Sequence, residues 1–180
     1  KIVDQDISND AFPFMACANI TVCGGLRARL FRISFSGELA FEIAVPTAYG
    51  DALLRKIMDA GAAYDITPYG TEALGGMRIE KGHAAGNELN GTTTAQNLGM
   101  GRMVSKKKDC IGFTASRRAG LIADERRQLV GLRAVSTATP LTAGAHLFEQ
   151  GADPVRINSQ GHVTSVCYAP TIDAEIALGF

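Results

Sequence analysis

An α+β chain followed by a small all-β module is the fold class this sequence predicts, and three observations carry the prediction. Apolar residues alternate with polar ones in short runs up to Val45, the period of a half-buried strand. From about residue 48 they recur every three or four positions, the period of a helix face. Beyond residue 126 four short apolar runs follow at regular intervals, separated by Gly, Pro and Asp clusters, as in a β-barrel or sandwich. The charged stretch Asp124-Glu125-Arg126-Arg127 marks the change of texture. We therefore place an α+β unit over residues 1–120 and a β domain over residues 121–180.

The leading segment, Lys1 to Asp10, is polar and acidic, and Phe12-Pro13-Phe14-Met15 is the first core-like material. Asn19 to Cys23 predicts a strand, Gly24-Gly25 a turn, and Leu26 to Phe35 a second strand. Apolar parity switches between Leu30 and Phe31, which a bulge or two-sided burial would explain. A third strand, Glu38 to Val45, ends at Pro46. Thr47 as N-cap, Leu53, Leu54, Ile57 and Met58 at helical spacing, and Gly61 as a left-handed stop predict a helix over 48–60. A second helix is expected from Thr67, with Pro68 at its first position. Its Gly70, Gly75 and Gly76 each cost about 1 kcal/mol relative to alanine, implying close backbone packing or a break. Residues 82–112 predict mostly loop with one strand near Met100 to Val104, and Thr114 to Ala123 a short helix. Strands are expected over Arg127–Val135, Ala145–Glu149, His162–Tyr168 and Glu175–Phe180. The last lacks a terminating turn and suggests an exposed strand and a fragment of a longer protein.

Composition excludes several classes of function. Of 180 residues 46% are hydrophobic and 20% charged, and eighteen basic residues balance eighteen acidic ones. With no net charge there is no field to gather nucleic acid or an anionic membrane, and Lys106-Lys107-Lys108 is too short a run to supply one. No apolar stretch approaches the roughly twenty residues of a membrane span, and the first residues lack a signal-peptide pattern. A cytoplasmic setting is the expectation. Cys17, Cys23, Cys110 and Cys167 lack paired spacing and are expected to be reduced and mostly buried. His83, His146 and His162 are separated from one another and from the cysteines in sequence, so no metal site is expected. Gly99-Met-Gly101-Arg-Met-Val104 has neither the third glycine nor the long helix of a dinucleotide loop, and no phosphate-binding lysine loop or Gly-x-Ser-x-Gly elbow occurs.

The stretch Phe31 to Ile43 is the most informative. Ser36-Gly37 marks a turn, after which Leu39, Phe41, Ile43 and Val45 fall on one strand face and Glu38, Ala40, Glu42 and Ala44 on the other. The second face carries small residues and carboxylates, so it either lines a ligand site or faces solvent. Glu38 and Glu42 stand roughly 13 Å apart along a strand, too far to share a proton.

Beyond periodicity, Ser34-Phe35-Ser36-Gly37-Glu38-Leu39-Ala40-Phe41-Glu42-Ile43 resembles the tyrosine-threonine-glycine-glutamate segment of the glycine-cleavage T-protein (aminomethyltransferase) family. Met77 to Gly82, Gly86 to Leu89, Lys108 to Gly112, Gly161 to Ser165, Tyr168 to Pro170 and Ile176 to Leu178 are similar to later segments of that family, in the same order. Within it, Phe35 to Glu42, Tyr69 to Glu72 and Leu98 to Lys108 look most like the C-terminal part of alpha subunits of heterotetrameric sarcosine oxidases. The resemblance implies a ferredoxin-like folate-binding unit followed by a small barrel or jelly-roll-like domain, attached to a flavoenzyme that oxidises sarcosine to glycine and passes the one-carbon unit to tetrahydrofolate. It implies Glu42 as the pterin-gripping carboxylate, able to accept two parallel hydrogen bonds from a ring N–H and an exocyclic amino group, and Phe35 as an aromatic wall that lacks the family tyrosine's hydroxyl. No catalytic residue and no metal ligand is carried over. The family's functional aspartate and the flavin and dinucleotide regions lie upstream of the matched stretch, so FAD, FMN and NAD are expected only in the parent complex, with the other oxidase subunits as partners. An arginine of the family falls near Leu74, so its contact to the folate tail is either missing or supplied elsewhere. The alternatives are an aminomethyltransferase or dimethylglycine dehydrogenase fragment, or a non-catalytic module for subunit contact.

Overall fold

In the computed structural model, which describes residues 1–136 and 139–180, the early alternating runs build an antiparallel sheet of three strands. These are β1 (Cys17–Val22), β2 (Leu26–Phe31) and β3 (Glu42–Ala44), in the order β1-β2-β3. The register pairs Ile20 with Ala28 and Leu30 with Ile43. One face therefore carries Ile20, Val22, Ala28, Leu30 and Ile43, which pack with Val3, Phe12 and Leu53 into the core of this unit. The turn at Gly24 and Gly25 is held from the leading segment: the Asp4 carboxylate accepts both of their N–H groups, at 3.0 and 3.1 Å. Asp4 N–H also donates to the Thr21 carbonyl. The polar start of the chain is thus tied into the sheet rather than merely leading up to it.

Three strand expectations need correction. β2 stops at Phe31, so the parity switch at Leu30–Phe31 is a strand end and not a bulge; the irregularity lies instead in a later strand, between Val163 and Ser165. The third strand is three residues long and begins at Glu42, because Ser34 to Ala40 forms an extended loop. Its Leu39, expected on the packed face, is 71% exposed.

Helix α1 (Gly50–Gly61) follows a short 3-10 turn over Thr47–Tyr49. Leu53 is buried and Ile57 partly so, both against the sheet core. Thr47 caps nothing by its side chain. Gly61 is not the left-handed stop: that conformation belongs to Asp65, with φ +54°. The glycine is needed for space, since a Cβ there would lie 2.7 Å from the Ile66 side chain, whose N–H bonds back to the Gly61 carbonyl.

Helix α2 (Thr71–Lys81) starts four residues later than expected and runs without a break through Gly75 and Gly76. The chain divides at this helix into two units, Lys1–Leu74 and Gly75–Phe180. In the second unit Gly76 approaches Cys167, whose thiol lies 3.6 Å from the glycine carbonyl. The strand expected near Met100–Val104 is a 3-10 turn, Gly101–Met103. The short helix is present as Ala119–Ile122, α3, after a further 3-10 turn.

The four C-terminal runs form β4 (Val130–Arg133), β5 (His146–Leu147), β6 (Gly161–Ala169) and β7 (Ala174–Gly179), antiparallel in the order β4-β7-β6-β5. The final strand is not an exposed edge. It lies between β4 and β6, with Ala177, Leu178 and Gly179 buried. Backbones approach so closely at this sheet that a Cβ on Gly161 would fall 1.8 Å from the Phe180 carbonyl oxygen. Buried Asn97 ties the charged stretch into the same unit: its amide donates to the Arg127 carbonyl at 2.7 Å and its oxygen accepts from Arg126 at 2.8 Å. All four cysteines are free thiols, yet Cys17, Cys23 and Cys110 are exposed and only Cys167 is half-buried, against the expectation of burial. Among the described residues no helix is long and apolar enough to cross a membrane.

Candidate functional site

The loop between β2 and β3 and the strand it leads into contain both residues singled out from the sequence. Glu42 is the first residue of β3, directly opposite Phe31. Because side chains alternate, Glu42 and Ala44 share the face that also carries Asn19 and Thr21 from β1 and Arg27, Arg29 and Phe31 from β2. This is the face away from the apolar core, and Glu42 is exposed on it. Its carboxylate makes no hydrogen bond or ion pair with any described residue, and neither Arg27 nor Arg29 has a side-chain partner. A shallow cleft of about 650 Å³ lies against the sheet, lined in part by Asn19, Thr21, Arg27, Arg29 and Ala44. Glu42 and Phe35 are not in its lining. Phe35, 38% exposed, sits in the loop between the strands.

What shapes that loop is a residue the sequence reasoning passed over. The guanidinium of Arg32 donates to the Phe12 carbonyl at 2.7 Å and to the Asn9 side chain. It also lies 5.8 Å from the centre of the Phe41 ring, within cation–π range. Phe41 in turn stacks on Phe12 at 6.5 Å. The Gly37 N–H closes the turn onto the Ser34 hydroxyl oxygen at 2.8 Å, and Gly37 has φ +103°, a conformation a residue with a Cβ resists. Arg32 therefore fixes the start and end of the loop at once, immediately before Glu42. The available signal was an arginine set between Phe31 and Ile33, out of step with Arg27 and Arg29, at the parity switch.

The second unit holds a different carboxylate. Glu88 is fully buried and accepts four hydrogen bonds. Arg78 donates at 2.9 Å, Ala85 N–H at 3.0 Å, and the hydroxyls of Thr164 and Ser165 at 2.5 and 2.6 Å. Arg78 also donates to the Ser165 hydroxyl oxygen at 2.7 Å and to the His83 carbonyl at 3.2 Å. Burial pushes Glu88 towards its neutral form. The Ser165 and Thr164 hydroxyls, the Ala85 N–H and the Arg78 guanidinium outweigh it and hold the carboxyl below its ordinary range. With every acceptor position occupied, this group fastens the 3-10 turn Gly86–Glu88 to β6 and has nothing left to offer a ligand. Residues ten and seventy-six apart in sequence meet here, so no local pattern could have shown it.

Among the described residues no group of three or more His, Cys, Asp or Glu side chains could hold a metal ion. No long helix follows Gly99 to Val104, so the glycines there do not form a dinucleotide loop.

Comparison with known proteins agrees with this architecture. Residues 1–108 match the family model described as the GCVT N-terminal domain, and residues 127–180 match the glycine cleavage T-protein C-terminal barrel domain. Sarcosine oxidase subunit alpha of Rhizobium meliloti (strain 1021) is 46% identical over 180 residues, covering 99% of this chain and 18% of that protein. The subunit alpha of Corynebacterium sp. (strain P-1) is 40% identical, covering 98% and 19%. The chain thus spans less than a fifth of the length of these relatives. The crystal structure of the glycine cleavage system aminomethyltransferase T from Bartonella henselae superposes with a TM-score of 0.75 at 25% identity, covering 96% of this chain and 47% of that one. The two matched models and the superposition agree: the chain belongs to the glycine-cleavage T-protein family.

Proposed function

We propose that this chain is the folate-binding portion of a sarcosine oxidase alpha subunit, with Glu42 as the pterin clamp and Phe35 as a stacking wall. The observation that carries this reading is the unpartnered Glu42 carboxylate, on the polar face of a sheet whose other face is core. A carboxylate with both oxygens free can accept two parallel N–H donors from an aminopyrimidinone ring. Phe35 offers an exposed aromatic surface on the preceding loop. Arg27 and Arg29, with free guanidiniums on the same sheet face, suit an anionic group such as a glutamyl carboxylate.

In the parent enzyme this portion would receive the one-carbon unit released when sarcosine is oxidised to glycine. FAD, FMN and NAD would be held by other parts of that complex, and the remaining oxidase subunits would be its partners, in the cytoplasm. With those cofactors held elsewhere, the purified chain should not oxidise sarcosine; turnover by the chain alone would contradict the assignment. We place the functional division at residues 1–120 and 121–180, the first part carrying the folate site. Aminomethyltransferase activity is the second reading, supported by the superposition on the Bartonella henselae protein.

The test is calorimetric titration of the chain with a reduced folate, comparing wild type with Glu42→Gln. The glutamine keeps size and shape but replaces one acceptor by a donor, and binding should weaken by at least about tenfold, the cost of roughly one charge-assisted hydrogen bond. Equal affinity in the two proteins, or binding in neither, would remove Glu42 from the site.

A further inference from the structure

The sequence separates His146 from His162 by sixteen positions, but the β5–β6 pairing sets them directly opposite each other. The flanking backbone bonds show what kind of pair this is. Val163 N–H donates to the Ala145 carbonyl and Gln160 N–H to the Leu147 carbonyl, on either side. His162 spends its own N–H and carbonyl on Phe180, at 2.7 and 3.0 Å. The two histidines thus form a non-hydrogen-bonded pair, the kind with the closest approach of side chains. Their ring centres are 6.2 Å apart.

The hydroxyl oxygen of Ser159 lies between His146 Nδ1, at 2.8 Å, and the Gly161 carbonyl oxygen, at 3.1 Å. In the tautomer with the proton on Nδ1, the ring donates to Ser159, the hydroxyl donates to the carbonyl, and the lone pair is on Nε2. A ring nitrogen with its opposite N–H engaged by an oxygen is how a metal-binding histidine is oriented.

We propose that His146 and His162 form a two-histidine chelate for a late first-row divalent ion such as Ni²⁺, completed by water or by a ligand from outside the chain. Metal–nitrogen bonds of about 2.1 Å at the near-90° angle of two neighbouring ligands on Ni²⁺ bring two imidazole centres to roughly 4.5 Å. The rings need to close by about 1.7 Å from their present separation, a movement of the side chains alone. Phe148 and Phe180 flank the pair at 6.3 Å each and limit how far either ring can swing away. Arg127 donates to the Ser159 carbonyl at 2.8 Å, and with Arg126 it lines the cleft of about 260 Å³ that also reaches His162. These cations oppose a divalent ion. They oppose every divalent ion equally, and the choice among ions is made by the imidazole donors, which suit the nitrogen-seeking ions late in the row and do not suit Mg²⁺ or Ca²⁺, which need several anionic oxygens.

The experiment is Ni²⁺ titration of the full chain, followed by calorimetry and by the metal-dependent rise in melting temperature. It is run in a Cys17→Ser, Cys23→Ser, Cys110→Ser background so that the exposed thiols supply no ligand. One ion per chain is expected, with affinity lowered at least about tenfold by either His146→Gln or His162→Gln. His83→Gln, altering the remaining histidine, should leave affinity unchanged. Ser159→Ala should weaken binding by less than either ligand loss while the metal-free melting temperature shows the fold intact. Retained affinity in either ligand variant, or a dependence on His83 equal to that on the pair, overturns the proposal.

Discussion

Glu42 and Glu88 are the same side chain put to opposite uses in the two units. Glu88 is fully buried and accepts four hydrogen bonds, one from a paired guanidinium. Glu42 is exposed and accepts none. A carboxylate carries about four acceptor positions. Where the fold occupies them all, the group is a fastener; where the fold occupies none and still fixes the backbone, the group is available. The backbone at Glu42 is fixed by pairing with β2 and by Arg32 across the loop. The comparison therefore separates two signs of importance that are easily confused. Burial with complete satisfaction points to stability, and rigid presentation with nothing satisfied points to binding.

The largest effect should come from breaking the buried side of this contrast. Glu88→Ala leaves the largely buried Arg78 without its ion pair and takes the carboxylate acceptor from the Thr164 and Ser165 hydroxyls, and should cost about 3–5 kcal/mol of unfolding free energy in denaturant titration. Glu42→Ala should stay within about 0.5 kcal/mol, as expected of an exposed side chain without partners. Similar losses at both positions would collapse the distinction.

The pH response should report on the buried carboxylate. The carboxyl of Glu88 is held below its ordinary range in the folded state, so the folded form binds its proton less readily than the unfolded chain. Its contribution to stability is complete above the ordinary carboxylate range and is lost as pH falls through the lowered folded value. Comparing urea midpoints at neutral and acid pH, the Glu88→Gln protein should show a smaller acid loss than wild type.

How much of this was legible in the residues depends on distance along the chain. The strands β1 and β2, helix α1 and the four C-terminal strands followed from spacing, because each is written by neighbours two to four positions apart. The length of β3 was not. Glu38 to Ala40 alternate like a strand, yet the Ser34–Gly37 turn and the Arg32 anchor hold that stretch in a loop and leave Leu39 in solvent. Glu42 was legible as one carboxylate on an open face, and the family resemblance gave it a role. The partners of Glu88 were invisible, since Thr164 and Ser165 reach it only through the β6 fold. The approach of His146 to His162 was hidden for the same reason.

A smaller effect distinguishes Cys167 from the exposed cysteines of the first unit. Burial, then the nearby Glu80, raises the Cys167 thiol above its ordinary value, with Arg78 acting weakly against them. Cys17 and Cys23 stand exposed in the first unit. A maleimide at neutral pH should label those two well before Cys167, since attack requires an accessible thiolate; preferential labelling of Cys167 would contradict its surroundings. Smaller still is Phe35→Tyr, which restores the family hydroxyl. Stacking should persist, and reduced-folate affinity should change by less than about threefold, or roughly 0.6 kcal/mol; Phe35→Ala should weaken it more.

Whether Glu42 holds the pterin amino group is measured most directly by a ligand-truncation cycle. Wild type and Glu42→Gln are each titrated with a reduced folate and with its analogue lacking the 2-amino group. The two losses should be strongly non-additive, with a coupling of about 1.5–3 kcal/mol, because each change removes the same hydrogen bond to a charged acceptor. Additive losses, with a coupling below about 0.5 kcal/mol, would show that Glu42 and the pterin amino group do not meet.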